Sequence, residues 1–415
     1  VPPDSRGTES RKGRRYLLIG SVALVAVAAL LGYAVSLGST AALPVNVGPA
    51  GGRTPDPAQG LRSDQRLRAD QGLGPDQPGD VLGLGRAIHV AQNAKPGGNG
   101  SAGAPFGGIQ AALDAAQPGD AIRVAPGIYR GQLHTVRAGT QQKPIWLLGD
   151  NARIVPPTGG IPPPAAEADE DSDAGKLVTV THDHIVFNGF DIAGGNKTLW
   201  IFKASYVRIL HNSIHESRGE CVRIKYFSSH NEVAYNHIER CGLGNFTPTA
   251  VHKNGEAVYI GTAPEQRAGK NPTSAPDQSN ANYIHDNDIT PRAECTDVKE
   301  GAQDNVVARN TCQRGEDPEG AGFSSRGIGT SFIDNISRDN AGAGIRIGGD
   351  GDSDGARSVI RGNRMENNKG YGLKLQTKQP QAAICENLVQ GNAGGPSNTK
   401  GIDPAVPCAG PPPAP

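Results

Sequence analysis

Residues 292–305 read "RAECTDVKEGAQDN" and residues 218–231 read "RGECVRIKYFSSHN", one frame of Arg, Glu, Cys, Lys and Asn written twice in the same order. The copies lie 292 − 218 = 74 residues apart, too far for one supersecondary unit, so shorter copies are expected between and after them. Asn marks them. It recurs in "FNGFDI", "HNSI", "YNHI", "DNDI", "RNTC", "DNIS", "GNRM" and "ENLV", at Asn188, Asn212, Asn236, Asn287, Asn310, Asn335, Asn363 and Asn387, in steps of 24, 24, 51, 23, 25, 28 and 24. A repeat of this length, built of short alternating segments without a helical stripe, predicts a solenoid of stacked coils. The long step holds the Pro- and Ser-rich stretch 263–281, which reads as a loop insertion.

Each Asn is followed by a second short strand, in "ECVRIK", "EAVYIG", "ECTDVK", "GAGFSS", "AGIRIG" and "YGLKLQ". Alternation turns Val222, Ile224, Val258, Ile260, Thr296, Val298, Ala321, Phe323, Ile345, Ile347, Leu373 and Leu375 inward. Equivalent residues of successive coils then sit one strand spacing apart, about 4.8 Å, and the Asn column can form a hydrogen-bonded ladder. The predicted fold is all-β, a parallel β-helix. Ahead of the coils, "PFGGIQAALDAAQPGDAIRVAPGIYRG" predicts a short amphipathic helix with Ile109, Ala112, Leu113 and Ala116 on one face, a suitable lid for the open end of the solenoid.

Composition agrees. The 415 residues include 57 Gly and 32 Pro, with 5% aromatic residues, which points to many turns rather than a helical or doubly wound domain. With 41 basic and 41 acidic side chains the formal net charge is zero, so no global field recruits nucleic acid, and none is expected as a partner. The uncharged run from Tyr16, "YLLIGSVALVAVAALLGYAVSLGS", follows the basic cluster "RKGRR" and is long enough to cross a bilayer. The expected organisation is a basic cytoplasmic tail 1–15, a transmembrane signal anchor 16–38, a disordered Gly-, Pro- and Asp-rich linker 39–85, the β-helix 86–408 and a Pro-rich tail 409–415. The solenoid would then be extracellular, tethered through its N-terminal helix, or secreted if the segment is cleaved near the small residues of "STAALP". A monomer is expected.

The stretch "AALDAAQPGDAIRVAPGIYRG" and the Asn-marked coils resemble the pectate-lyase-like right-handed parallel β-helix proteins, among them the polysaccharide lyases acting on alginate, chondroitin and pectate. The resemblance covers residues 86–408 and implies the right-handed form of the fold. Six Cys in an exported chain suggest disulfides, with fifteen possible connectivities. Cys221 and Cys295 share a column but have Ala257 between them, roughly 9.6 Å apart and beyond disulfide reach. Pairing of neighbours in sequence fits better, Cys221 with Cys241, Cys295 with Cys312 and Cys385 with Cys408; free buried thiols are the other reading.

The alternation that turns aliphatics inward turns Arg223, Lys225, Tyr259, Asp297, Lys299, Ser324, Arg326, Arg346 and Lys374 outward on one sheet. This basic strip is a candidate cradle for an acidic polysaccharide, bound by Arg223, Lys225, Asp297 and Lys374 with Tyr259 stacking on a sugar; a solvated fringe guarding the sheet is the bland alternative. Elimination next to a uronate carboxylate needs a base, a cation on the carboxylate and a proton donor. The order of Glu294 and Lys299, followed one coil later by "SSRG" with Arg326, is similar to the alginate and chondroitin lyase arrangement. That likeness implies Glu294 as a Ca²⁺ ligand, Lys299 as the base, its pKa lowered by Arg neighbours and the ion, and Arg326 as acid or charge stabiliser. Where those lyases carry a second acidic ligand this chain has Arg292, so Glu256 or Asp297 is expected to replace it. The segment "GAGIRIGGDG" resembles a calcium-dependent pectate lyase segment and puts Arg346 at the position of that family's base. In "GDGDSDGAR", Asp350, Asp352 and Asp354 form the opening half of a calcium loop, or else a polar turn between coils. His182 and His184 read as surface residues. With only Asp297 pointing outward from the central strands, hydrolysis is the weaker enzyme reading. A membrane-tethered lyase and a non-catalytic cell-surface carbohydrate-binding or structural protein remain as two functions of different class.

Overall fold

The computed structural model describes residues 85–157, 175–244, 246–249, 253–349, 351 and 353–409. The expected tail, anchor and linker up to residue 84, residues 158–174, whose sequence includes the acidic run "EADEDSD", and all of the Pro-rich tail but Ala409 lie outside them. Among the described residues no helix is long and apolar enough to cross a membrane.

The coils form a right-handed parallel β-helix. From Lys197–Phe202 onward, each coil contributes one strand to a nine-stranded sheet and two very short strands, separated by a sharp bend, to a nineteen-stranded sheet, whose earlier coils carry the longer Ile145–Val155 and Ile185–Ala193; the strands pair in parallel. One coil runs Val222–Lys225, Glu232–Ala234 and His237–Glu239. The bend is bought with backbone strain: His211, Tyr235, Asp286, Arg309 and Asp334 stack in successive coils with φ between 52° and 58°. For non-glycine residues that conformation costs roughly 1–2 kcal/mol each.

The Asn column offsets this. From Asn212 through Asn236, Asn287, Asn310, Asn335 and Asn363 to Asn387, each side-chain amide donates to the Oδ1 of the next Asn at 2.9–3.1 Å. The same oxygens accept the backbone N–H groups that the bend would leave unpaired, for example Asn236 N to Asn287 Oδ1 at 2.9 Å. Asn188 does not join: Phe190 N, two residues on, donates to Asn212 Oδ1 and fills that slot. Two further ladders, Asn231–Asn282–Asn305 and Asn340–Asn368–Asn392, run at other corners.

The interior is a stack of aliphatics and a few rings, including Val222, Ile224, Val258, Ile260, Val298, Phe323, Ile345, Ile347 and Leu373, with Leu375 partly buried against them. The helix Ile109–Ala115 packs Ile109, Ala112 and Leu113, with the following Ala116, onto this core at its N-terminal end. The insertion after Ile260 is not all loop. It opens with a kinked helix, Pro264–Lys270, and Arg267 pins it to the Glu300 carbonyl at 2.6 Å. All three disulfides pair sequence neighbours: Cys221–Cys241, Cys295–Cys312 and Cys385–Cys408, with Cα separations of 5.4, 5.9 and 5.0 Å.

Candidate active site

The outer face of the nine-stranded sheet carries three columns of side chains. Strand register aligns Trp200, Arg223, Tyr259, Asp297, Ser324, Arg346 and Lys374 in the first. Glu220, Glu256 and Glu294, each two residues before an inward aliphatic or Thr, form a second; Lys225, Lys299 and Arg326, just past the strand centres, belong to a third. The outward direction read from alternation is therefore right, but the strip is neither an open row of cations nor a solvated fringe. Arg223 and Lys225 are each 2% exposed, Tyr259 3% and Asp297 1%, because charges and rings from neighbouring coils cover one another.

At the centre, Glu256, Glu294 and Asp297 bring one carboxylate oxygen apiece within 4.8 Å of the others. Lys299 Nζ lies 2.6 Å from Asp297 Oδ2, and Arg326 Nη1 3.7 Å from the same oxygen. Arg346 donates to Glu294 Oε1 at 3.0 Å and to Ser324 Oγ at 2.8 Å. A Cβ on residue 320 would sit 2.9 Å from Glu294 Oε1, so Gly320 lets the backbone close over this edge of the site without moving that carboxylate. Asp297 Oδ1 is buried and, among the described residues, meets no hydrogen-bond donor. Three converging carboxylates with a spare buried acceptor suit a hard divalent cation. Both residues offered in place of the acid missing at position 292 belong to the set. Arg292 itself turns away, to Glu316 at 3.0 Å and over the Phe246 ring at 5.1 Å.

The electrostatics correct the expectation for Lys299. Burial would lower its pKa and Arg326 would lower it further, but Asp297, Tyr259 and Glu256 outweigh both and raise it. Burial likewise opposes ionisation of Asp297, yet Lys299, Arg326 and Arg346 hold its carboxyl below the usual range. Glu294 goes the other way: burial, with Asp297 and Glu256 adding to it against the pull of Arg346, pushes it up to about 8. Burial also raises Glu256.

Tyr259 is placed differently from the sugar platform expected of it. Its ring lies 3.4 Å under the Arg223 guanidinium and 4.8 Å from Lys299 Nζ, held between cations of both flanking coils. Arg223 also reaches Glu220 at 3.5 Å, and Glu220 pairs with buried Lys197. Lys225 stands one coil away, 5.2 Å from the Trp200 ring. Lys374, half-buried, donates to the Glu319 carbonyl at 3.3 Å, and burial with help from Arg346 lowers its pKa.

Of the expected calcium loop, Asp350 and Asp352 lie outside the described residues; Asp354 accepts from Gly351 N at 2.7 Å and caps its own turn. His182 bonds Thr135 Oγ1 at 3.0 Å and His184 stacks on Tyr206 at 4.8 Å; both are half-buried. The residues missed are Glu220 and Glu300, the latter 3.5 Å from Arg326 Nε. A signal for the glutamate column was present in "GECVRIK", "GEAVYIG" and "AECTDVK", where Glu recurs two residues before an inward side chain; strict alternation would turn it inward, but Cys221, Ala257 and Cys295 take the core positions instead, so the alternation breaks where each strand begins.

No family model and no curated protein matches the chain. Among solved structures, an alginate lyase from Paenibacillus sp. str. FPU-7 superposes with a TM-score of 0.55 at 21% identity, over 72% of this chain and 93% of that one. The fold is the pectate-lyase-like parallel β-helix. Pectate lyase Pel9A shares it with a TM-score of 0.51 at 15% identity, over 77% of this chain and 82% of that one. Geobacillus virus E2 ORF18 does so with 0.50 at 12%, over 84% and 62%. At these identities the likeness is one of fold.

Proposed function

We propose that this protein is a polysaccharide lyase that cleaves a uronate-containing polymer by β-elimination. The observation that carries the reading is the placement of two proton carriers, Lys299 and Tyr259, side by side between a carboxylate triad and the guanidinium groups of Arg223, Arg326 and Arg346. Lys299 takes the proton next to the uronate carboxylate. The electron pair forms the new double bond and expels the glycosidic oxygen, which takes a proton from the Tyr259 hydroxyl. Arg326 and Arg346 offset the negative charge that develops on the carboxylate. Asp297 holds Lys299 protonated, so turnover should climb toward alkaline pH. Glu256, Glu294 and Asp297 would hold a divalent cation, with Ca²⁺ expected, which when bound supplies Lewis-acidic charge beside the substrate carboxylate. The three disulfides fit an oxidising compartment, so the proposal keeps the solenoid extracellular, tethered through the run from Tyr16.

The competing reading, a non-catalytic carbohydrate-binding or structural solenoid, is favoured by the internal matching of charge on this face. Incubation with alginate, pectate and glycosaminoglycans separates them. A lyase generates the ultraviolet absorbance of an unsaturated uronate. Lys299→Ala then lowers kcat on the order of 10²-fold or more, and so does Tyr259→Phe, which keeps the ring for Arg223 and Lys299 but removes the hydroxyl. No absorbance from any polymer, with salt-sensitive retention of one of them, makes it a binding protein. Reducing ends without absorbance would make it a hydrolase.

A further inference from the structure

Glu256, Glu294 and Asp297 face three cations, Lys299, Arg326 and Arg346, of which Arg326 also reaches Glu300, so the chain itself lines the centre of the site with charge. Arg346 comes from farthest away, 52 residues beyond Glu294 and two coils along the solenoid. Its guanidinium is held at three points: Glu294 Oε1 at 3.0 Å, Ser324 Oγ at 2.8 Å and the Glu319 carbonyl at 3.3 Å. Only the first contact engages the triad. Asp297 Oδ1, by contrast, is buried without a donor, an acceptor still open at the centre of the cluster.

We infer that Arg346 and a divalent cation compete for Glu294, so that Arg346 sets the affinity of the triad for the cation and loosens its hold on Glu294 when the cation binds. The inference rests on the cation-binding part of the proposed function. Its physics is direct. Two positive charges on one buried carboxylate repel far more strongly than they would in water, and a divalent ion draws more from Glu294 than a guanidinium does. Arg346 keeps Ser324 and the Glu319 carbonyl when it gives up Glu294, so letting go leaves it with hydrogen-bond partners. By linkage, whatever the guanidinium costs the cation in affinity, the cation costs the guanidinium equally.

Calcium titration by calorimetry of the full chain tests this. Arg346→Gln should bind Ca²⁺ at least roughly fivefold more tightly than the native protein, and Glu294→Gln should abolish binding in both backgrounds. Equal or weaker binding by Arg346→Gln overturns the inference. Should that variant fail to fold, the native protein labelled at Arg Nε decides it: the Arg346 resonance should shift in step with calcium occupancy, and an unmoved signal at saturation overturns the competition. Failure of either protein to bind Ca²⁺ overturns it as well. Turnover of polymer separates the two ideas, since turnover by a protein that binds no Ca²⁺ in calorimetry sinks this inference and leaves the reaction standing. Absent turnover with the competition intact does the reverse.

Discussion

Replacing Asn287 by Ala removes one rung from the middle of the long ladder. The side chain is 2% exposed and takes part in five hydrogen bonds. It donates to Val233 O at 2.8 Å, His285 O at 2.9 Å and Asn310 Oδ1 at 2.9 Å, and its Oδ1 accepts from Asn236 N at 2.9 Å and Asn236 Nδ2 at 3.0 Å. Each bond is worth about 1 kcal/mol net, but the Asn236 backbone N–H is left buried at a left-handed bend, and an orphan of that kind costs about 1–3 kcal/mol. Part of the loss is recovered by relaxation of neighbouring amides, which puts the expected destabilisation at about 3–5 kcal/mol, a large share of the 5–15 kcal/mol typical of a folded domain. Denaturant unfolding with the disulfides intact, monitored by tryptophan fluorescence, measures it against Asn188→Ala. Asn188 lies outside the ladder, so its substitution should cost under about 1 kcal/mol. A loss under about 1 kcal/mol for Asn287→Ala, or equal losses for the two, would refute the claim that the ladder compensates the bend.

Asp286 stands at the same bend, hydrogen-bonded to His285 Nδ1 at 2.6 Å and to Arg309 at 2.7 and 2.9 Å. Burial opposes its ionisation, but His285 and Arg309 overcome that and hold it at about 2. Its folded pKa is thus below the unfolded value of about 3.9, so its contribution is present above that pH and lost as pH falls from about 4 toward 2. Thermal melts across that window should show a steeper acid decline for the native protein than for Asp286→Asn; parallel curves would remove Asp286 as the cause. Cys295 and Cys312, 17 residues apart, close a loop whose cross-link is worth about 3 kcal/mol. The Cys295→Ser, Cys312→Ser double variant should lose that much in denaturant unfolding, and an unchanged midpoint would show that the bond is not made in solution.

Periodicity made the solenoid legible because each coil must solve the same local problem. An aliphatic must point inward every second residue, and a corner must satisfy the amides it exposes. Column spacing also removed a Cys221–Cys295 bond, leaving adjacency in sequence to suggest the disulfide pairs, and the capping helix was legible from its own apolar face. Periodicity failed at Asn188, where the motif is present but two residues early, and it passed over Asn231, Asn282 and Asn305, whose "NEV", "NYI" and "NVV" carry the same pattern and form a ladder of their own.

The site was legible in direction but not in environment. Alternation says that Tyr259 and Arg223 leave the sheet on the same side, yet whether they meet solvent or each other depends on the register between coils. That register is set by backbone pairing between the coils, which puts Arg223 opposite Tyr259. The Glu294–Arg346 pair bridges 52 residues, and no local pattern reports a contact of that range. The charge count carries the same lesson. Counted along the sequence, the strip is six cations, Arg223, Lys225, Lys299, Arg326, Arg346 and Lys374, against Asp297 alone, and looks like a polyanion cradle. With register imposed, Glu220, Glu256 and Glu294 rise into the same face and the cradle becomes a matched, buried network. A matched network is costly to dismantle and cheap to retune: apart from the open Asp297 Oδ1, a ligand carboxylate or a divalent ion entering it gains by displacing a partner already there. Selectivity on this face should therefore come less from total charge than from which internal pair a ligand can break, and the Arg346–Glu294 pair, at the covered edge formed by Gly320, is where that exchange is most open to measurement.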